Sequence, residues 1–317
     1  SMNDTEYLQK LVQVARLYYE ENMTQQAISK KLGTTRQSIS KMLSEARQRS
    51  IVEIKINDVE TNLSKAAQRI KEIFPIQNVT IVPGHFNDDA LARKMLAQRA
   101  ALYFDDLCRE GLHKIGISWG RSVYSFVEQC SESSLLQRAD IFPLVGASNQ
   151  AAAYFMINEM VRMLSEKTGG TAHFINLPLG PLSPKDYELF TRTQAYAEIL
   201  DQWQEIDLAV IGIGAIGNLK HRSYYPGESE LLAEDSANII GDICTHYFDL
   251  QGRITETIGA ASMIRIPFEN LAKVKRVLAL VNGTEKIDAV TGALKLGIVT
   301  DIIIDEALAE GIIERLS

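Results

Sequence analysis

A chain of 317 residues with 46% hydrophobic content is long enough for about two domains and apolar enough for a sizeable packed core. Its net charge of −7 argues against nucleic-acid binding spread over the whole surface, and no apolar run approaches the roughly 18 uncharged residues of a membrane span. The opening SMNDTEYLQK lacks the basic and apolar regions of a secretory signal, and Cys108, Cys130 and Cys244 are scattered without metal-ligand spacing. The expectation is a cytoplasmic protein with no membrane partner, reduced structural cysteines and no metal site.

Charge is unevenly distributed. Residues 1–55 carry nine Lys and Arg against six Asp and Glu, a net of +3, and the remainder carries −10. A basic head on an acidic body is expected when only the head meets phosphate backbone. Within the head, Leu8, Leu11, Val12, Ala15 and Tyr19 recur at helical spacing; Ala27, Ile28 and Leu32 make a second apolar face, and Ile39, Leu43 and Ala46 a third. Thr24 is placed to cap the second helix, Gly33 to end it in a left-handed turn, and Thr34 or Thr35 to cap the third. Three short helices in this order read as a helix-turn-helix, and the alternation of Val52, Ile54 and Ile56 reads as the strand of a wing. Arg36, Gln37, Ser40 and Lys41 then suit base edges and phosphates in a major groove, with Arg47 further along for phosphate. Thr24, Gln25 and Thr35, at the two helix starts, complete the candidate DNA contacts. The competing reading is a small helical bundle with a solvated basic face.

A polar connector, NDVETN (57–62), leads into α/β alternation, which sets the expected domains at 1–57 and 58–317. Strand candidates are VTIVPG (79–84), KIGISWG (114–120), DIFPLVG (140–146), AHFINLP (172–178), DLAVIGIG (207–214), RVLALVNG (276–283) and VTDIIID (299–305). Helical patterns fill 88–108, 151–167, 185–202 and 285–296, and the polar 218–235 reads as a loop with a short helix. Fully apolar strands alternating with helices imply a mostly parallel sheet covered on both faces, with ligands held at the strand C-terminal ends.

Four loops carry candidate chemistry. GISWGRS (116–122) spells Gly-x-Ser-x-Gly, the pattern of a nucleophilic serine. A hydrolase also needs a later acid and histidine, and only His173, His221 and His246 follow, the last with Asp242 on the same short element. The alternative is an anion cradle: Ser118, Trp119, Gly120, Arg121 and Ser122 lie where an apolar strand meets a helix N-terminus. In LVGASNQ, Gly146 and Ala147 permit close backbone approach, and Ser148 and Asn149 can bond hydroxyls. IGIGAIGN offers Gly212 and Gly214 as a turn, or, with Gly217, as a dinucleotide fingerprint that lacks a following amphipathic helix. In the fourth region, Gly241 and Asp242 suit sugar hydroxyls, and Lys286 near a helix start suits a phosphate.

LYYEENMTQQAISKKLGTTRQSISKMLSEARQRSIVEIKI resembles the DNA-binding head of the SorC family of sugar-operon regulators, and IGISWGRS, GDICTHYFDLQG and NGTEKIDAVTGAL resemble segments of that family's effector domain. The resemblance implies a winged helix-turn-helix followed by a Rossmann-like α/β effector domain, similar in fold to glucosamine-6-phosphate deaminase and ribose-5-phosphate isomerase. It further implies a non-enzymatic homo-oligomer, dimer or tetramer, that binds operator DNA, senses a sugar or sugar phosphate and needs no cofactor. Ser118, Gly120, Ser122, Gly146, Ser148, Gly214, Asp242 and Lys286 become the implied effector contacts. Val145 stands where some members carry a Schiff-base lysine, so that covalent attachment is not expected here. The alternative class is an enzyme, either a serine hydrolase on Ser118 or a sugar-phosphate isomerase or deaminase.

Overall fold

The computed structural model describes residues 3–54, 58–131, 139–216, 238–255 and 260–316, and the chain divides into two compact units, Ser1–Asp58 and Val59–Ser317. In the first unit, α1 (Asp4–Tyr19), α2 (Gln25–Leu32) and α3 (Arg36–Gln48) form three helices joined by tight turns. Thr24 Oγ1 accepts the Ala27 N–H at 3.1 Å, and Gly33 closes α2 at φ 65°. Thr35, rather than Thr34, caps α3, its Oγ1 accepting the Ser38 N–H at 3.1 Å. Val14, Leu17, Ile28, Ile39 and Leu43 pack together as the core of this unit.

Two sequence expectations are not met over the described residues, each for a geometric reason. Leu8 and Val12 are exposed, because the buried stripe of α1 runs through Leu11, Val14, Ala15 and Leu17, about a quarter-turn away around the helix. The wing strand is not formed over residues 51–54: the Ile51 and Val52 N–H groups both turn back to the Ala46 carbonyl, at 2.9 and 3.1 Å, and finish α3 instead. Lys55, Ile56 and Asn57 lie outside the described residues.

In the second unit the connector is itself the start of a helix, α4 (Val59–Ile73). The chain continues through β1 (Asn78–Val82), α5 (Asp89–Arg109), β2 (Lys114–Ile117), α6 (Arg121–Gln129), β3 (Asp140–Pro143), α7 (Ile157–Thr168) and β4 (Thr171–Ala172). Then come α8 (Pro184–Thr191), α9 (Gln194–Glu205), β5 (Leu208–Ile211), β6 (Gly214–Ala215), β7 (Ile239–Ile243) and β8 (His246–Asp249). The last elements are α10 (Phe268–Lys273), β9 (Arg276–Val281), α11 (Ile287–Lys295), β10 (Asp301–Asp305) and α12 (Glu306–Leu316). Seven strands make one sheet in the order β1-β10-β9-β5-β2-β3-β4, every neighbouring pair parallel, while β6-β7-β8 form a separate antiparallel sheet. Leu208, Ala209, Val210 and Ile211 are all fully buried, as expected for a parallel strand covered on both faces.

The fourth strand candidate shrinks to the two residues of β4, because its continuation leaves the sheet to bond the Gly146–Ala147 backbone: Ala147 N–H reaches Leu177 O and Leu179 N–H reaches Ala147 O, both at 2.8 Å. The helix expected over 185–202 is two helices, since Thr193 Oγ1 accepts the Tyr196 N–H at 3.2 Å and starts α9 afresh. Residues 218–235 lie outside the described residues.

At the N-terminal edge of the sheet, fully buried Asp301 accepts Arg276 Nε at 2.9 Å and Nη2 at 2.6 Å, and also bonds Thr300, Asn78 and Tyr103. Burial opposes ionisation of this carboxyl, but the bonds from Arg276, Thr300 and Tyr103 outweigh it and hold it below its ordinary range. A depressed carboxyl contributes stability that is present above its unfolded value and lost as pH falls through the folded one. Arg276→Ala leaves the charge buried and short of its main partner, so urea unfolding at neutral pH is expected to show a loss of about 3–5 kcal/mol. A loss below about 1 kcal/mol would show that the remaining three bonds suffice.

Candidate functional site

In the first unit the core-facing residues of α3 determine what is left outside. Ile39, Leu43 and Ala46 are buried, so Arg36, Gln37, Ser40 and Lys41 project to solvent from the first turns of the helix, with Thr35 exposed at its cap. Thr24 is exposed and Gln25 half-buried at the start of α2, both within one short turn-joined pair of helices. Arg47 is exposed too, but its Nη1 donates to Tyr19 OH at 3.0 Å, which holds the guanidinium beside the end of α1. The surface therefore offers one bidentate donor, one amide and one ammonium along a helix slim enough for a major groove.

In the second unit, β2 is followed by β3 on one side, while β5, on the other side of β2, leads on to β9. The strand order, not the chain direction, reverses between the parallel strands β2 and β5, and a crevice opens where their loops diverge. A cavity of about 150 Å³ occupies it, lined by Ser118 to Val123 after β2, Gly212 to Ala215 after β5, and Leu280, Val281 and Asn282 at the end of β9. Asp242, Cys244 and Thr245 close it from the small sheet, and Lys286 from the 3-10 turn that leads into α11.

Nine of the expected effector residues therefore converge: Ser118, Trp119, Gly120, Arg121, Ser122, Gly212, Gly214, Asp242 and Lys286. Five do not line the cavity. The Gly146 N–H bonds Ile264 O at 2.8 Å, and a Cβ there would stand 2.7 Å from Leu179 Cα, so this glycine serves close backbone packing. Ala147 is knitted to Leu177 and Leu179, Ser148 Oγ accepts the Gln150 N–H at 3.1 Å within its own loop, and Asn149 is exposed beside it. Gly241 lies inside β7, where a Cβ would meet Gly214 O at 2.7 Å and Phe248 Cζ at 2.8 Å. Val145 does line the cavity, so the place of an imine-forming lysine is filled by an apolar side chain.

The anion cradle is smaller than its sequence reading. The Ser118 N–H bonds Val210 O at 3.1 Å and the Gly120 N–H bonds Tyr154 O at 2.7 Å, so two of the expected free donors are engaged by the fold. What remains is the first turn of α6, from Arg121, entered through Gly120 at φ 125°. Arg121 lies over the Tyr154 ring, 5.1 Å from its centroid, and Trp119, Phe155 and Tyr154 form a tilted aromatic series with centroids 4.9 and 4.8 Å apart.

Asp242 pairs with Gly214 across the small sheet, and only glycine fits there: a Cβ would sit 2.0 Å from Asp242 Oδ1. Burial pushes the Asp242 carboxyl up to about 6, against the opposing pull of Lys286 and of the Thr245 N–H, which donates to Oδ2 at 3.2 Å. Burial likewise holds the Lys286 ammonium below its ordinary range, with Asp242 opposing, and Lys286 Nζ donates to Ile213 O at 2.9 Å. Sequence reasoning missed Asp89, Arg93, Tyr154, Phe155, Thr245, Asn282 and Glu285 as lining residues. Arg93 is paired with Asp89 at 2.6 Å, and Asn282 Nδ2 donates to the same Asp89 at 2.9 Å, so the start of α5 is tied to the end of β9 at the cavity edge.

Among the described residues the arrangement lacks the parts of a serine hydrolase. Ser118 is buried and its backbone is not left-handed, unlike a strained elbow. His173 bonds Asp140 at 3.0 Å and stacks on Phe142; His246 bonds Ile266 O at 2.7 Å and is kept neutral by burial and by Arg265. Neither lines the cavity, and His221 lies outside the described residues. The dinucleotide reading fails on topology, since Gly214 and Ala215 enter an antiparallel strand rather than opening a helix, and Gly217 lies outside the described residues.

Comparison with known proteins identifies the family of the chain. The Sugar-bind model, a sugar-binding domain, matches residues 59–314. The sorbitol operon regulator of Klebsiella pneumoniae is 28% identical over 302 residues, covering 92% of this chain and 94% of its own. The deoxyribonucleoside regulator of Bacillus subtilis is 22% identical over 316 residues, covering 99% of this chain and all of its own. The crystal structure of the full-length Klebsiella regulator SorC shares the fold over 98% of this chain and 99% of that one, with a TM-score of 0.71 at 24% identity. Relatives spanning nearly the whole chain are transcriptional regulators, not enzymes. With a domain match over most of its length, this chain belongs to the sugar-binding-domain family of SorC-type transcriptional regulators.

Proposed function

We propose that the chain regulates a carbohydrate-catabolism operon by reading operator DNA with α3 and by binding a sugar or sugar phosphate in the cavity between β2 and β5. The observation that carries the proposal is the convergence on one cavity of a carboxylate, hydroxyls, cations and an aromatic wall. Arg93, Arg121 and Lys286 stand against Asp89, Asp242 and Glu285 there, so the cavity is close to charge-balanced and suits a ligand with one anionic end and a hydroxyl-bearing end. Among the described residues no helix is long and apolar enough to cross a membrane. In this reading the protein works in the cytoplasm as a homo-oligomer whose heads engage paired half-sites, gaining effective concentration that a single head lacks.

For the DNA-binding role, fragments selected from a random pool by the wild-type protein supply the probe. Arg36→Ala is expected to weaken binding and to lower the salt slope by about 1 if the guanidinium meets phosphate, or to relax one base position if it meets a base. Unchanged affinity and unchanged salt dependence would remove α3 from the interface.

For the effector, sorbitol, 2-deoxyribose and their monophosphates are screened by melting temperature, which rises for any compound that binds the folded state preferentially. A ligand hydroxyl donating to Asp242 favours the ionised carboxylate, and the free protein holds that carboxyl up at about 6. Affinity is therefore expected to increase as pH rises through that value and to level off above it. Asp242→Asn is expected to bind more weakly and without this pH dependence; a variant that titrates like the wild type would show that Asp242 does not meet the ligand.

A further inference from the structure

β1 and β10 are neighbouring parallel strands that end in register, with Val82 opposite Asp305. The chain leaves β1 through Pro83, Gly84 and His85 and leaves β10 directly into α12, so His85 is brought beside the first turns of that helix. Glu306 and Glu310 are about one turn apart on α12, and both turn to the imidazole. His85 Nε2 stands 3.0 Å from both carboxylate oxygens of Glu310, and Nδ1 stands 3.8 Å from Glu306 Oε2. The Gly84 N–H donates to the same Glu306 oxygen at 2.7 Å, so this partly buried carboxylate is fixed by backbone. None of the three residues lines the cavity between β2 and β5.

Charge in this cluster is unbalanced. Two carboxylates at i and i+4 on one helix repel, and Asp305 adds a third acid just before the helix. Among the described residues the ion pairs of Glu306 and Glu310 are with His85 alone. Ionised carboxylates only accept hydrogen bonds and a neutral imidazole has one N–H, so its other nitrogen turns a lone pair toward an acceptor. A cation reconciles the three groups. We propose that His85, Glu306 and Glu310 form a binding site for a divalent transition-metal ion, with zinc as the probe. One imidazole nitrogen with two carboxylates is a donor set that favours such ions over magnesium and calcium, which take oxygen throughout. One donor atom from each residue can be chosen so that all three lie within 4.8 Å of one another. Ligand distances of about 2.0–2.2 Å put two donors on one ion at most about 4.4 Å apart. The exposed side chains of His85 and Glu310 can close that difference, while Gly84 keeps Glu306 oriented as outer-shell bonds orient metal ligands. The ion ties the loop after β1, at the edge of the large sheet, to α12. His85 and Glu310 are 225 residues apart, so no spacing in the sequence announces the site, and the cysteines on which the expectation of no metal rested take no part.

A proton on His85 is the competing cation, and it would make the cluster a surface ion pair instead. The test is a calorimetric zinc titration of the full chain near neutral pH, stripped of metal and carrying no polyhistidine tag. Wild type is compared with His85→Ala, with Glu310→Gln, and with His113→Ala as a control at an exposed histidine before β2. Wild type is expected to take up one zinc per chain and to melt at a higher temperature with it. His85→Ala and Glu310→Gln are each expected to lose at least about tenfold in zinc affinity, since changes to outer-shell partners alone cost about 10–100-fold. His113→Ala is expected to bind as wild type does. Absence of zinc binding to wild type, a loss smaller than tenfold in either cluster variant, or an equal loss in His113→Ala overturns the assignment. Displacement of zinc by an excess of magnesium also overturns it, because oxygen ligands alone would then hold the ion. No sugar enters the experiment, so its outcome is independent of the effector reading.

Discussion

The constraint on which the second unit depends is the reversal of strand order between the parallel strands β2 and β5. Parallel strands need crossover connections, and when successive crossovers run to opposite sides, the two loops at the reversal cannot pack on one another. The gap is filled by whatever leaves those strands: Ser118 to Ser122 from β2 and Gly212 to Gly214 from β5. The rest of the cavity is an answer to that gap. The small sheet lays Asp242 over Gly214, the turn before α11 brings Lys286 to Ile213 O, and the start of α5 ties Arg93 and Asp89 to the end of β9.

Buried charge in this unit falls into two kinds with different physics. Asp301 at the bottom of the sheet has a bidentate arginine and further donors, so its lone pairs are satisfied and its ionised form is favoured. Asp242 at the top has one backbone donor and a lysine whose own charge is disfavoured by burial, and its carboxyl rises rather than falls. A partly satisfied buried carboxylate is a poor device for stability. Gly214 nonetheless gives up any side chain to make room for it. The contrast separates a group that holds the sheet together from one whose remaining bonding capacity faces a cavity.

The parts of this architecture legible in the sequence are those governed by local rules. The caps Thr24 and Thr35, the left-handed Gly33 and the apolar runs 208–211 of β5, 277–281 of β9 and 302–304 of β10 follow from short-range sterics and from burial on both faces. Ser118, Gly120, Asp242 and Lys286 were visible because glycine and polar residues at strand ends mark loops, and because family segments carry them. The remainder depends on tertiary context. Charges such as Asp89 and Arg93 at a helix start read as solvated; Tyr154 and Phe155 sit in a 3-10 turn with no periodic signal; and a hairpin turn made of Cys and Thr lacks the glycine or asparagine that announces one. Gly146 and Ser148 mislead for the converse reason: a small residue required for backbone packing looks the same in sequence as one required for a ligand.

A sensor must do more than bind, because a ligand with equal affinity for two states shifts neither. The cavity walls differ in how they are held. Ser118 and Gly120 are anchored to the large sheet and its aromatic turn by Val210 O and Tyr154 O, whereas Asp242 lies in the small antiparallel sheet, paired there with Gly214 and drawn electrostatically to Lys286. A ligand confined to one wall would add the same free energy however the two sheets stood relative to each other. One that engages an anion at α6 and a hydroxyl at Asp242 gains its full affinity only at one separation, so the opposed chemistry of the two ends is what makes binding sensitive to that separation.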